Sequence, residues 1–382
     1  NIGDLDGDGV NDLAVGAYSD DAGGVNRGAV HIIFMNIDGT VKSTTEINDS
    51  TTDGPVLGDR DDFGFSIANI GDLDGDGVND LAVGAYNDDM DEDGNANSGN
   101  TGINRGAVHI IFMNDDGTVD STVEINDFTT NGPDLDNGDV FGQSVANIGD
   151  LDGDGVNDLA VGAPRDDAGG NEQGTVHIIF MNDDGTVDKT VEINETTTAA
   201  TPRTADDLEL DASDRFGYSV ANIGDLDGDG VNDLAVGAPR DDAGGDEQGA
   251  VHIIFMKIDG TVKSTVEINE TTTALTARTT DDIDLDASDR FGYSVANIGD
   301  LDGDGVNDLA VGAYQDDNNG GANRGAVHIM FMNIDGSVKS TKEINGDTTN
   351  GPDLTSDDLF GASVANIGDL DGNGVIDLAV GA

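Results

Sequence analysis

The sequence predicts an all-β chain, a β-propeller-like array of four-stranded antiparallel blades whose closure is left open. Three observations carry this. The string NIGDLDGDGVNDLAVGA begins at Asn1, Asn69, Asn147, Asn222 and Asn297, and an altered copy, NIGDLDGNGVIDLAVGA, begins at Asn366. Between copies, apolar residues fall into short alternating or continuous runs with no helical period. Asp-Gly and Gly-rich turns separate those runs.

The third period shows the elements in order. FGQSVAN, from Phe141, alternates small and apolar residues and reads as a first strand. An aspartate loop follows from Asp150 to Asp158, and LAVGA, from Leu159, is a short second strand. GTVHIIFMN, from Gly174, is a longer, apolar third strand. Asp183 to Thr186 supply an Asp-Gly hairpin turn. TVDKTVEIN, from Thr186, alternates as a more exposed fourth strand. A polar connection then leads to the next FG block at Phe216. Four antiparallel strands and a long return loop suit a propeller blade. No single repeat can bury its apolar faces alone, so neighbouring repeats must cover them.

Repeat boundaries are expected at 1–68 (lacking its first strand), 69–140, 141–215, 216–290, 291–359 and 360–382 (first two strands only). Blade counting leaves three arrangements open. The FG strand at Phe360 closes the N-terminal blade, which leaves a redundant strand at Leu378; the array continues in further sequence; or blades continue from one subunit to the next. The end repeats lack polar capping variants, which favours a fragment of something longer.

The motifs FGxSVA and GDLDGDGxxDLAVGA closely resemble the FG-GAP repeat of integrin α-subunit propellers, and of bacterial and archaeal surface proteins built from it. The resemblance recurs in every period. It implies propeller blades with calcium held between the first two strands of each. This chain departs from the pattern in two ways. The GAP tripeptide is intact only at Gly162–Pro164 and Gly237–Pro239, reading GAY elsewhere, as at Gly84–Tyr86. Its return loops are also longer.

Composition narrows the function. Apolar residues make up 36 % and aromatics 4 %, with no Trp and no Cys. So sparse a core, without disulfides, needs another staple. The net charge is −62, from 78 acidic against 16 basic residues. This excludes nucleic acid and anionic membrane surfaces as partners, since both need a basic face. No apolar run reaches membrane-spanning length. A surface adapted to high salt is the rival account of the charge.

The loops offer the staple. Their pattern, D-x-D-x-D-G-x-x-D, supplies Asp4, Asp6, Asp8, the carbonyl of Val10, and Asp12. The equivalents are Asp72, Asp74, Asp76, Val78 and Asp80; Asp150, Asp152, Asp154, Val156 and Asp158; and Asp225, Asp227, Asp229, Val231 and Asp233. Then come Asp300, Asp302, Asp304, Val306 and Asp308, and last Asp369, Asp371, Asn373, Val375 and Asp377. An all-oxygen, carboxylate-rich set suits Ca²⁺, about one per repeat. Mg²⁺ keeps more water, and Zn²⁺ asks for Cys or His. An EF-hand would need Glu at loop position twelve, where Val15 stands. In the last loop Asn373 replaces a carboxylate, so weaker binding is expected there.

Other recurring polar residues are read more plainly. The acidic pairs Asp20/Asp21, Asp88/Asp89, Asp166/Asp167, Asp241/Asp242 and Asp316/Asp317 read as solvated loop charge, with a second cation site as the sharper alternative. His31, His109, His177, His252 and His328 read as structural strand residues. Arg27, Arg105 and Arg324 are expected to pair with acidic loops. Asn48, Asn194 and Asn269 open N-glycosylation acceptor patterns at what would be an exposed blade edge.

The leading expectation is a calcium-binding, non-enzymatic extracellular or cell-surface protein with a structural or adhesive role, such as a filament or part of a large surface protein. Its partners would be protein or glycan surfaces or copies of itself, with no nucleic acid and no membrane insertion. The alternative is an integrin-like ligand-binding head, which predicts one blade with distinctive loops. A propeller-fold hydrolase is less favoured, because almost every polar residue repeats in register and none forms a catalytic constellation.

Overall fold

The computed structural model describes residues 1–89, 103–198, 208–273, 283, 285–317, 322–369 and 372–382. Among the described residues every regular element longer than one turn is a strand. Two single helical turns, Glu195–Thr198 and Glu270–Thr273, follow fourth strands.

The strands form six antiparallel sheets in sequence order. The second sheet contains Ser66–Gly71, Asp80–Ala85, Ala107–Met113 and Val119–Ile125, each hydrogen-bonded to the next. The third sheet, Ser144–Gly149, Asp158–Ala163, Thr175–Met181 and Val187–Ile193, repeats that order. So do the fourth, over Ser219–Gly224, Asp233–Ala238, Ala250–Met256 and Val262–Ile268, and the fifth, over Phe291–Asn297, Leu309–Ala313, Ala326–Met332 and Val338–Ile344. The first sheet has three strands, Leu13–Ala17, Ala29–Met35 and Val41–Ile47. The last has two, Ser363–Gly368 and Asp377–Gly381. The fold is therefore all-β, built from propeller-type blades.

The chain divides into two compact units, Asn1–Asp167 with Val176–Glu192, and Ala168–Thr175 with Ile193–Ala382. Within the first unit, Val108, Ile110 and Phe112 of the second blade pack against Leu159, Val161 and Ile179 of the third. Within the second unit, Val251, Ile253 and Phe255 pack against Leu309, Val311 and Met330. The core thus lies between blades, as the lone repeat's inability to bury itself requires.

The FG and GA signatures meet at these junctions. A Cβ on Gly84, at the end of the second blade's second strand, would lie 2.0 Å from the carbonyl oxygen of Gly142 in the next FG block. Gly237 and Gly292 repeat the contact at 1.9 Å. Two backbones touch where any side chain would part them. The amide of Phe141 donates to the Arg105 carbonyl at 2.8 Å, and Phe291 to Gln248 at 2.8 Å, so each FG block hydrogen-bonds to the blade before it.

Candidate metal centre

From the second blade on, each aspartate loop joins the first and second strands of its blade; the first loop precedes the strand Leu13–Ala17, closed by a single bridge between Gly3 and Asp12. Gly7 and Gly9 adopt φ of 72° and 91°, turning the first loop back on itself. Asp4 sits inside that turn, its Oδ1 accepting from the Asp8 amide at 2.9 Å and its Oδ2 from Gly9 at 2.8 Å. Asp150 makes the same pair with Asp154 and Gly155. The ninth-position aspartates of the first five loops are buried, and Asp377 in the sixth is half-buried. Asp158 Oδ1 accepts from the Met181 amide at 3.0 Å and Oδ2 from Leu151 at 2.8 Å. Asp12, Asp80, Asp233 and Asp308 accept equivalent amides. Burial raises Asp80, Asp158 and Asp233 to about 6, their amide partners opposing it.

Carboxylate oxygens converge in five loops, three of them within 4.8 Å of one another. The groups are Asp4, Asp6 and Asp8; Asp72, Asp74 and Asp80; Asp150, Asp152 and Asp158; Asp225, Asp227 and Asp229; and Asp300, Asp302 and Asp304. Among the described residues these are the groups of three acidic or imidazole side chains close enough to share an ion. Asp6 Oδ1 and Asp152 Oδ1 are buried in their loops with no hydrogen-bond partner. A buried anionic oxygen without a donor asks for a cation, so the residues fit a hard divalent ion. Asp76, Asp154, Asp12, Asp233 and Asp308 line the same loops outside the tight groups. Val78, Val156 and Val306 pack their side chains against the apolar clusters. Val10, Val231 and Val375 hold the same loop position in the first, fourth and sixth loops. In the sixth loop Asp371 lies outside the described residues, Asp369 accepts from the Asn373 and Gly374 amides, and Asn373 Oδ1 accepts from Val375.

Two features escaped the sequence reading. The first is a set of lysines on fourth strands that reach loop carboxylates, such as Lys42 Nζ at 2.7 Å from Asp6 and 2.6 Å from Asp8. The second is a pair of asparagines that tie loop to loop. Asn157 Nδ2 donates to the Ile70 carbonyl at 2.8 Å and Asn147 Nδ2 to Asn69 at 3.0 Å. Asn307 and Asn297 do the same toward Ile223 and Asn222. Both asparagines stand in the visible repeat, but only the register between blades gives them partners.

The acidic pairs after the second strand differ from the expectation of solvated charge in four blades, whereas Asp20 is half-buried and Asp21 exposed. Asp88, Asp166, Asp241 and Asp316 are 2–4 % exposed. A second aspartate, just before the FG block of the same blade, is buried with each: Asp61, Asp139, Asp214 and Asp289. Burial, then the neighbouring carboxylates, push Asp139 up to about 7 and Asp214 and Asp289 up to about 8. For Asp61, at about 7, burial again leads, opposed by the Gly58 amide. Asp167, Asp242 and Asp317 remain exposed. The buried pair is set by packing of two loops of one blade, which no local pattern announces.

The histidines behave as structural residues. His109, His177, His252 and His328 are buried, edge-on to Phe63, Phe141, Phe216 and Phe291. Burial lowers His109 to about 4 and keeps it neutral. His31 is partly exposed. Arg27 pairs with Asp49 at 2.5 Å and Asp59 at 3.0 Å, and Arg105 with Asp127 at 2.8 Å.

The acceptor asparagines do not sit on an open edge. Asn48, Asn194 and Asn269 are 9 %, 1 % and 2 % exposed. Asn194 Oδ1 caps the following turn, accepting from the Thr196 and Thr197 amides at 3.0 Å. Asn48 Oδ1 accepts from Ser50 and Asn269 Oδ1 from Thr271, so the Asn-x-Ser/Thr pattern here is a turn signal.

Comparison with known proteins agrees with this architecture. The family model described as FG-GAP repeat matches residues 2–33, 141–179, 216–254 and 291–330, so these stretches are FG-GAP repeats. Integrin alpha-4 of Xenopus laevis is 31 % identical over 212 residues, covering 54 % of this chain and 17 % of that protein. Integrin alpha pat-2 of Caenorhabditis elegans is 30 % identical over 246 residues, covering 64 % and 18 %. Integrin alpha-5 of Xenopus laevis is 37 % identical over 174 residues, covering 44 % and 14 %. The chain thus spans under a fifth of the length of these relatives. A solved rhamnogalacturonan lyase aligns at a TM-score of 0.32 and 13 % identity, covering 97 % of this chain and 57 % of that one, too low a score to carry kinship.

Proposed function

We propose that this chain is a calcium-stiffened, non-enzymatic module of an extracellular or cell-surface protein, with a structural or adhesive role. The carrying observation is the convergence of three carboxylates in each of five loops, with buried, donor-less oxygens on Asp6 and Asp152. In this reading the first, third, fifth and ninth positions of each loop, with the valine carbonyl, hold one Ca²⁺. The ion supplies the positive charge that the loop lacks and ties the first strand to the second.

Extracellular calcium is millimolar, which suits sites of modest affinity. At roughly ten times the dissociation constant, each ion adds about 1.4 kcal/mol to the folded state. Five such terms approach the whole stability of a typical domain. Calcium would then take the place of absent disulfides and a thin core. The near-identity of the repeats supports a structural or self-associating role, a filament included, over a single recognition site.

A second reading, a ligand-binding head like that of the integrin alpha relatives, is favoured by the similarity itself. The two separate on valency. A structural array self-associates or binds a repeated surface, whereas a head binds one protein ligand at one place.

The deciding experiment is thermal unfolding with millimolar calcium and with excess chelator at matched ionic strength. A midpoint lowered by tens of degrees on chelation supports the calcium reading. An unmoved midpoint refutes it and leaves the aspartate loops as turns.

A further inference from the structure

The loops share one sequence yet differ in the charge that faces them. In the first blade Lys42 bridges Asp6 and Asp8 from the fourth strand. In the fourth blade Lys263 bridges Asp227 and Asp229, both at 2.6 Å. In the fifth, Lys339 lies 2.6 Å from Asp302 and 2.9 Å from Asp304. The second and third blades carry an aspartate at this strand position, Asp120 and Asp188. In the third, Lys189 stands one residue later, 3.7 Å from Asp152 and 3.8 Å above the Phe180 ring.

The resting arrangement of each loop follows this difference. Where a lysine bridges the third and fifth positions, the converging set is the first, third and fifth aspartates. Where it does not, the set is the first, third and buried ninth. The lysine therefore draws the fifth-position carboxylate into the group. It takes the outer Oδ2 of both partners, which leaves Asp6 Oδ1 inside the loop without a donor.

Resting on the calcium reading above, we infer that the fourth-strand residue three places after the hairpin glycine sets the cation affinity of each loop. Lysine there is a tethered counter-ion that compensates the loop when no metal is present and opposes a divalent ion when one arrives. Aspartate there leaves the third and fifth positions unbridged and adds attraction, Lys189 in the third loop reaching Asp152 alone at 3.7 Å. The chain accordingly fills in steps, with the second and third loops first and the first, fourth and fifth later. A unit charge about 5 Å from a divalent ion in a solvent-like medium changes its affinity by about tenfold. Replacing lysine by aspartate reverses the charge and does more.

Calorimetric titration of the full chain with calcium alone, from a chelator-stripped state, tests this. The parent chain should show a tight class and a class weaker by more than about tenfold. The triple variant Lys42→Met/Lys263→Met/Lys339→Met keeps the apolar stems, and should move the weak class toward the tight one. Its calcium-free thermal midpoint should fall as well, because three compensated loops lose their counter-ion. The single variant Asp120→Lys makes the opposite change at an exposed strand position, and should move one site from the tight class to the weak. A single class in the parent, or titrations left unchanged by both variants, overturns the inference while the calcium reading stands. No calcium uptake by the parent overturns both.

Discussion

Asp158 holds the third loop by its backbone, since each carboxylate oxygen takes an amide, one from within the loop and one from the third strand. Asp150 closes the turn from an exposed position, and both carboxylates belong to the converging group. Two otherwise similar substitutions should therefore part. Asp158→Asn loses an acceptor, because its amide nitrogen cannot receive a second N–H, and should destabilise the calcium-free chain by about 2 kcal/mol in denaturant unfolding. Asp150→Asn loses an acceptor too, but at an exposed position where water replaces it, so it should cost less than about 1 kcal/mol, and it should weaken calcium in its loop by about tenfold in a direct titration. The buried pairs give a pH dependence of definite sign. Asp214 and Asp289, raised to about 8, bind protons in the folded chain that they release when unfolded, where aspartate titrates near 4. Their contribution is complete below that value and is lost as pH rises through 8. Without divalent ions the chain should melt higher at pH 5.5 than at pH 8.5, and Asp214→Asn/Asp289→Asn should reduce the difference. An equal or reversed difference in the parent would contradict the buried pairing.

Strands and loops were legible because each is written in consecutive residues: the apolar run of VHIIFM, the Asp-Gly turn, the alternating aspartates. What the sequence hid lies between elements. Lys42 is 36 residues from Asp6, and Asn157 is 87 from Ile70. Such pairs follow from register, which a repeat unit read alone does not define. The same separation explains the acidic pairs: Asp139 and Asp166 belong to different loops, and only their packing removes them from water. At the blade junction the glycines are mechanical necessities. Gly84→Ala would drive its Cβ into the Gly142 carbonyl and should cost about 3 kcal/mol in denaturant unfolding, with or without calcium. Asn157→Ala removes one loop-to-loop hydrogen bond at about 1 kcal/mol. It should also lower any cooperativity of calcium uptake between the second and third loops, which the Gly84→Ala variant should spare. The last repeat shows the natural loss of this tie, with Ile376 where the others carry asparagine.

For the molecule as a whole the question is how a net charge of −62 is tolerated. Two mechanisms are open, and they respond differently to ions. Long-range repulsion among exposed carboxylates is relieved by any salt, because the screening length falls from about 10 Å at 0.1 M to about 3 Å at 1 M. Convergent carboxylates within 4.8 Å of each other lie well inside the longer length and only slightly beyond the shorter one, with little room for mobile ions between them, so monovalent salt relieves their repulsion only in part. A directly coordinated divalent ion removes it. Calcium on five loops still leaves the chain near −52, so screening and coordination must both act. In chelator, raising sodium chloride from 0.1 to 1 M should therefore lift the thermal midpoint only in part. Millimolar calcium at 0.1 M salt should lift it further, although it adds almost nothing to the ionic strength. Equal midpoints in 1 M salt and in calcium would mean that the acidity is an adaptation to salt and that the loops hold no ion. A calcium increment that persists in 1 M salt would mean that the ion acts from inside the loops, where screening does not reach.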